Sequence, residues 1–194
     1  MPFSQSSQIS TIIGFIEKVN PLSMLDVGIG MGQYGFLARN NLEQINLFSV
    51  EGPLASQKSK QEWRVRIDGI EGYATYLTPV HEYAYNRIMI GEALELLREV
   101  GDNTYDLVLA VDILEHFTKP DGLIFLSELK RITRQAVLVS TPKEFHSQEI
   151  EANPYENHRS HWTDEELTQE EYCEILANRE SWIAVYFYKE KSGA

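Results

Sequence analysis

Cysteine is almost absent from this chain: among 194 residues there is one, Cys173. A single cysteine cannot form an internal disulfide, and this one lacks the spaced partners of a zinc site. Such usage predicts a reducing, cytoplasmic setting. The amino terminus has no basic segment followed by a long apolar one, so we expect no signal peptide. Since no apolar run is long enough to cross a bilayer, we also expect no membrane partner.

Basic residues are few as well. The chain has 17 lysines and arginines against 29 aspartates and glutamates, which gives a formal net charge of -12. Nucleic-acid binding depends mainly on clustered lysine and arginine, so we expect no DNA or RNA partner. The longest basic cluster, residues 58–66, is interrupted by Gln61, Glu62 and Trp63, and a solvated face or loop explains it best. A small molecule is therefore the expected substrate, while the oligomeric state stays open.

Repeats, low-complexity tracts and linkers are also missing, which predicts a single domain spanning residues 1–194. The hydrophobic fraction of 43% is ordinary for a globular protein, so the core needs no disulfide or structural metal. Residues 1–20 are predicted to form an N-terminal helix, because four isoleucines share one helical face: Ile9, Ile12, Ile13 and Ile16. The helix should end at Asn20, since a residue before proline avoids the helical conformation.

Short apolar segments alternate with helical patterns along the rest of the chain. The predicted strands are residues 22–27, 86–90, 105–111, 136–140 and 181–188, together with a second strand in either of two places. Predicted helices cover residues 33–40, 120–132 and 163–176, the last beginning with a Thr163–Glu166 capping box. This alternation predicts an α/β fold: a doubly wound, mostly parallel sheet of six or seven strands with helices on both faces. Such sheets bind ligands at the carboxyl ends of their strands.

The most informative segment is Leu25-Asp26-Val27-Gly28-Ile29-Gly30-Met31-Gly32. Glycines allow a sharp turn and a close approach of the backbone to a ligand, and the helix that follows offers free N–H groups. Gly30, Gly32 and Gly35 also satisfy the dinucleotide-binding pattern. The acid before the first glycine suits a ligand that carries an ammonium group better than a pyrophosphate.

This segment resembles motif I of the class I S-adenosylmethionine-dependent methyltransferases, acid-x-Gly-x-Gly-x-Gly. Three further segments resemble the third, fourth and fifth strands of that family: residues 88–93, 106–116 and 137–142. The resemblance covers roughly residues 22–142 and implies a Rossmann-like fold with S-adenosyl-L-methionine as cofactor. It also implies cofactor-binding residues: Asp26, Gly28, Gly30 and Gly32 at the methionine end, Glu92 and Ala93 at the adenine, and Asp112 close to the methionine. The family usually ends in a hairpin of two strands, of which only residues 181–188 are clear here.

The acid that would hold the ribose hydroxyls has two candidates. Glu51 ends an apolar segment at a typical distance after the glycine motif, and Glu71 ends another at a typical distance before Glu92. We prefer Glu71, because residues 52–62 are polar enough to be an inserted loop and because Gly69-Ile70-Glu71 better resembles the family's strand ending. Glu51 would then lie in a solvated turn.

The catalytic residues are less evident. His116 follows the predicted fourth strand, near the expected position of the transferred methyl, and is our candidate general base. His146, His158 and His161 follow the predicted fifth strand. His158 and His161 belong to a polar, aromatic loop that should hang over the open end of the sheet, where they bind a ligand, pin the loop by hydrogen bonds or are exposed. Asp112, Glu115 and His116 lie close in sequence, but the sequence shows no convincing spacing of further ligands that would complete a metal site, so we expect no bound metal.

These observations favour an enzyme that transfers a methyl group from S-adenosyl-L-methionine to an oxygen or nitrogen of a small molecule. Two alternatives remain open at this point. One is a non-catalytic cofactor-binding protein of the same fold. The other is a nicotinamide-dependent oxidoreductase that uses Gly30, Gly32 and Gly35.

Overall fold

The computed structural model describes residues 4–189. The strands are β1 (Ser23–Val27), β2 (Phe48–Glu51), β3 (Leu54–Gln57), β4 (Arg66–Glu71), β5 (Arg87–Ile90), β6 (Tyr105–Val111), β7 (Thr133–Pro142), β8 (Glu174–Leu176) and β9 (Ser181–Phe187). The helices are α1 (Ile9–Val19), α2 (Gln33–Glu43), α3 (Pro79–Ala84), α4 (Ala93–Glu99), α5 (Lys119–Ile132) and α6 (Asp164–Gln169). None of these helices has the length and apolar character needed to cross a membrane.

Seven strands form the main sheet in the order β5-β4-β1-β6-β7-β9-β8. The first five run parallel, and β9 is antiparallel to β7 and to β8. Alternate residues of β6 point to opposite faces: Leu107 and Leu109 join the core under α1 and α2, while Val108 and Ala110 join the core under α5. A strand buried on both sides is apolar on both faces, as β6 is over residues 107–111. The predicted doubly wound fold is confirmed.

Two segments were candidates for the second predicted strand, and the one that pairs with β1 in the main sheet is β4, not β2. Asp26 of β1 lies opposite Gly69 of β4, so the preferred assignment of the segment ending at Glu71 is confirmed. The β2 strand pairs with β3 in a separate two-stranded hairpin, with Phe48 45% and Val50 59% exposed. The polar segment that follows Glu51 therefore contains a strand, and its prediction as a loop was wrong for residues 54–57.

Two predicted helices differ at their ends from the observed ones. The N-terminal helix begins at Ile9 rather than within the first residues, is preceded by a 3₁₀ turn over Ser6–Gln8, and ends at the left-handed Asn20. Residues 1–3 of that prediction lie outside the described part of the chain.

The last helix begins at the predicted capping box, in which the Glu166 amide donates to Thr163 Oγ1 at 3.2 Å. It stops at Gln169 instead of Leu176, so that part of the prediction was wrong. The left-handed Glu171 (φ 70°) breaks the helix, and the buried Tyr172 draws the chain inward by donating to Leu126 O at 3.1 Å. The end of the predicted helix, residues 174–176, instead forms β8, which completes the terminal hairpin.

Candidate functional site

A cavity of about 450 Å³ opens at the carboxyl ends of the parallel strands. Its wall is built from the residues that follow β1, β4, β5 and β6, including the predicted site residues Gly28, Gly30, Glu71, Glu92, Ala93, Asp112 and His116. This edge is where open parallel sheets bind their ligands, and the volume suits a ligand of cofactor size. The topology thus brings together seven of the nine predicted residues; Asp26 and Gly32 are absent from the wall.

The glycine-rich turn has a backbone that disfavours other residues. Gly28, Gly30 and Gly32 have φ values of 78°, 51° and 78°, the left-handed region in which a Cβ is strained. A Cβ on Gly28 would lie 2.7 Å from Ile113 Cδ1. Gly32 faces away from the cavity, toward the imidazole of His81, at 3.1 Å from an added Cβ. The glycines therefore add no side chains to the cavity wall, which in this turn consists of Gly28 and Gly30 together with Ile29 and Met31.

Asp26 supports this turn from below. It is 2% exposed, and its Oδ2 accepts a hydrogen bond from Tyr85 Oη at 2.7 Å. Burial raises the pKa of Asp26 to about 6, the Tyr85 hydrogen bond lowers it, and the charge of Glu71 raises it further. Asp26 is therefore buried outside the cavity wall, and it could contact a ligand directly only if the glycine-rich turn moved.

The buried carboxyl of Asp26 makes stability depend on pH. Since its pKa is higher in the folded chain than in the unfolded one, the folded state binds more protons between about pH 4 and 6, and the free energy of unfolding falls as pH rises through that window. Asp26→Asn removes this titration while keeping an oxygen for Tyr85. We expect the fall in stability from about pH 4.5 to about pH 7 to shrink by about 2 kcal/mol relative to the parent protein.

Urea unfolding of both proteins at several pH values measures this difference, and the contributions of other carboxyl groups cancel in the comparison. Parallel curves for the two proteins would contradict the buried-carboxyl interpretation.

Glu71 joins the turn after β4 to the glycine-rich turn. Its Oε2 accepts from the Gly30 amide and its Oε1 from the Tyr73 amide, both at 2.9 Å. Each oxygen keeps a further lone pair, so the carboxylate can still accept hydrogen bonds from a ligand. Burial raises the pKa of Glu71, while the two amides lower it. Nearby, Glu92 uses its side chain to cap α4 by accepting from the Glu95 amide at 2.9 Å.

Asp112 adopts a left-handed backbone (φ 50°) directly after β6. Its carboxylate accepts from Ser140 Oγ at 2.9 Å and from Gln8 Nε2 at 2.5 Å. The Gln8 contact holds the segment before α1 beside the cavity, and Ser4 forms part of the wall. Burial raises the pKa of Asp112, and the hydrogen bonds lower it. Sequence reasoning missed Gln8, because one polar residue next to an apolar helical face carries no distinctive signal.

His116 lies on the cavity wall, where its Nδ1 donates to Asn157 O at 3.2 Å. Burial lowers the pKa of this imidazole. The neighbouring Glu115 is 4% exposed, and burial, followed by the charge of Asp112, raises its pKa well above the ordinary value. The Arg159 and Ser160 amides both donate to Glu115 O, at 2.8 and 3.1 Å, and so dock the loop after β7 onto this turn.

That loop is pinned by its histidines, one of the roles predicted for them. His158 Nδ1 donates to His146 O at 2.6 Å, and His161 Nε2 to Lys143 O at 2.8 Å. The same loop supplies a polar wall opposite the glycine turn, in which Tyr76 Oη donates to Glu156 Oε1 at 2.9 Å. Asn153 Nδ2 in turn donates to Tyr76 Oη at 2.9 Å. The composition of the loop made it a candidate in the sequence, but no local pattern identified Asn153 and Glu156 as partners of Tyr76.

Comparison with solved structures finds the same fold in other proteins. A protein from Pyrococcus horikoshii OT3 is 14% identical, with a TM-score of 0.61 over 94% of this chain and 88% of its own. A SAM dependent methyltransferase from Archaeoglobus fulgidus is 13% identical, with a TM-score of 0.61 over 93% of this chain and 91% of its own. For an O-methyltransferase family protein from Burkholderia thailandensis, the identity is 9% and the TM-score 0.59, over 91% of this chain and 55% of that one. No protein-family model and no curated protein sequence matches the chain. At these identities the similarity establishes a shared fold.

Proposed function

We propose that this chain, which has the fold of the class I S-adenosylmethionine-dependent methyltransferases, binds S-adenosyl-L-methionine in the cavity and transfers its methyl group to an acceptor. The observation that carries the proposal is the bond from the Gly30 amide to Glu71, which joins the glycine-rich turn to an acid at the open edge of the sheet. The turn leaves room for the methionine end of the cofactor, and Glu71 has lone pairs left for two ribose hydroxyls. Glu92 and Ala93 would adjoin the adenine, and Asp112 the methionine.

The cofactor, when bound, supplies an electrophilic methyl group, and the residues of the chain align it with the acceptor. The polar side chains of Tyr76, Asn153 and Glu156 line the same cavity and suit a small-molecule acceptor that presents an oxygen or a nitrogen. His116 is the predicted general base beside the acceptor. The formal charge of -12 disfavours a polyanionic acceptor.

Calorimetric titration with S-adenosylhomocysteine tests the cofactor assignment. We expect saturable binding to one site, and much weaker heat from a nicotinamide dinucleotide, because the carboxylate of Glu71 beside the glycine-rich turn would repel a pyrophosphate. Tight binding of the dinucleotide without binding of S-adenosylhomocysteine would refute the proposal.

Turnover is tested separately, with labelled S-adenosyl-L-methionine and a panel of small hydroxyl and amine acceptors. Methylation of any member distinguishes an enzyme from a non-catalytic binding protein. Binding of S-adenosylhomocysteine with no transfer to any acceptor would favour the non-catalytic alternative.

A further inference from the structure

Three side chains with metal-binding chemistry meet beside the cavity. Glu115 and His116 come from the turn after β6, and His158 comes from the loop after β7. One potential ligand atom from each lies within 4.8 Å of the other two. The docking of the loop on Glu115 O brings His158 to this place from more than forty residues away in sequence. The third ligand that was missing from the sequence pattern is thus supplied by tertiary structure.

The two imidazoles are oriented as metal ligands are. In both His116 and His158, Nδ1 contacts a backbone carbonyl oxygen, which can only accept, so Nδ1 carries the proton. The lone pair of each ring therefore lies on Nε2. Metal-binding histidines almost always donate their second ring N–H to a carbonyl or carboxylate in this way, which fixes the tautomer and the ring orientation.

The carboxylate of Glu115 is the third ligand. It is buried, and its Oε2 has no hydrogen-bond partner at normal length within residues 4–189. A buried carboxylate oxygen without a donor is costly unless a cation satisfies it. Asp112, three residues earlier, is not a member of this cluster, and its two oxygens accept hydrogen bonds from Ser140 and Gln8.

We propose that Glu115, His116 and His158 form a binding site for a divalent first-row transition-metal ion. Two imidazoles and one carboxylate suit zinc, manganese, iron or cobalt, whereas magnesium prefers a shell of oxygens. Three protein ligands leave at least one coordination position open, as in catalytic metal sites. Ligands about 2.1 Å from a tetrahedral ion lie about 3.4 Å apart, so the loop needs to close by only about an ångström.

The role of the ion rests on the proposed methyl transfer, although the site itself does not. Of the three ligands His116 lies on the cavity wall, so an ion bound to it would border the cavity in which the acceptor is proposed to bind. A coordinated acceptor hydroxyl has a lowered pKa and loses its proton to water. Its oxygen then forms the bond to the methyl carbon as the carbon–sulfur bond of the sulfonium breaks, which releases S-adenosylhomocysteine. With the Nε2 lone pair of His116 bound to the ion, this role replaces the general-base role that the proposed function gives to His116.

Metal binding is measured on the full chain after treatment with a chelator. Titration with cobalt(II), followed by visible absorption, and with zinc and manganese by calorimetry should give one ion per chain, while magnesium should bind much more weakly. His158→Gln and Glu115→Gln should each weaken binding by about 100-fold or more, since even loss of an outer-shell partner typically costs about 10- to 100-fold. His146→Gln is the matched control, because it alters an exposed histidine outside the cluster and retains the backbone carbonyl that contacts His158, so it should leave the affinity unchanged.

Measuring the binding of S-adenosylhomocysteine to each variant distinguishes a failure of the metal proposal from a failure of the proposed function. A His158→Gln protein that binds S-adenosylhomocysteine normally but has lost the metal supports the site. If the parent protein binds S-adenosylhomocysteine but no metal, the metal proposal alone is overturned. The same conclusion follows if His158→Gln and Glu115→Gln leave metal binding unchanged. Metal binding without any binding of S-adenosylhomocysteine instead overturns the proposed function and leaves the metal site standing.

Discussion

Replacing Gly30 with valine is expected to weaken the binding of S-adenosylhomocysteine by about 100-fold or more. Gly30 lies on the cavity wall with φ 51°, and its amide donates to Glu71. A β-branched residue is a steric outlier in this left-handed region, and its side chain would occupy space that the glycine turn keeps free. The affinity is measured by calorimetry, and the thermal unfolding midpoint of the same sample shows whether the variant is folded.

Gly52→Val is the matched control for backbone strain. Gly52 has a similar φ of 59°, lies in the exposed turn between β2 and β3, and has no atom within 4 Å of an added Cβ. It should lose stability without losing affinity for S-adenosylhomocysteine. Unchanged affinity in Gly30→Val would show that the cofactor binds elsewhere.

Replacing Glu71 with alanine is expected to lower the same affinity by at least about 100-fold, because two ribose hydroxyls would lose a charged acceptor worth about 1.5–3 kcal/mol for each bond. The change also leaves the Gly30 and Tyr73 amides without their acceptor, so the variant should unfold at lower denaturant concentration. Calorimetry reports the first effect and urea unfolding the second.

Two further variants test whether the carboxylate of Glu71 itself accounts for the loss of affinity. Glu51→Ala changes an exposed acid of the β2–β3 hairpin and should affect neither the affinity nor the stability appreciably. Glu71→Gln retains one oxygen acceptor and should give an intermediate affinity. A larger loss of affinity in Glu51→Ala than in Glu71→Ala would refute the assignment of Glu71 to the ribose.

The fold and the glycine-rich turn at the cavity could be predicted because their signals are local. An apolar segment such as residues 107–111 of β6, a threonine cap such as Thr163, and glycines in a left-handed turn can each be recognised within a few residues. The end of α6 could not be predicted in this way. The residues of β8 fit a continued helix as well as a strand, and only pairing with β9, together with the burial of Tyr172, selects the strand.

By itself, the sequence determined the doubly wound sheet and the place of the glycine-rich turn within it, since both follow from short-range patterns of apolar and flexible residues. Tertiary structure alone decided which acid adjoins that turn: pairing of β1 with β4 brings Glu71 to Gly30 and leaves Glu51 on a separate hairpin. It also put Asp26 beneath the cavity and His158 beside Glu115. Contacts between residues far apart in the chain depend on strand order and loop docking, which no local pattern encodes.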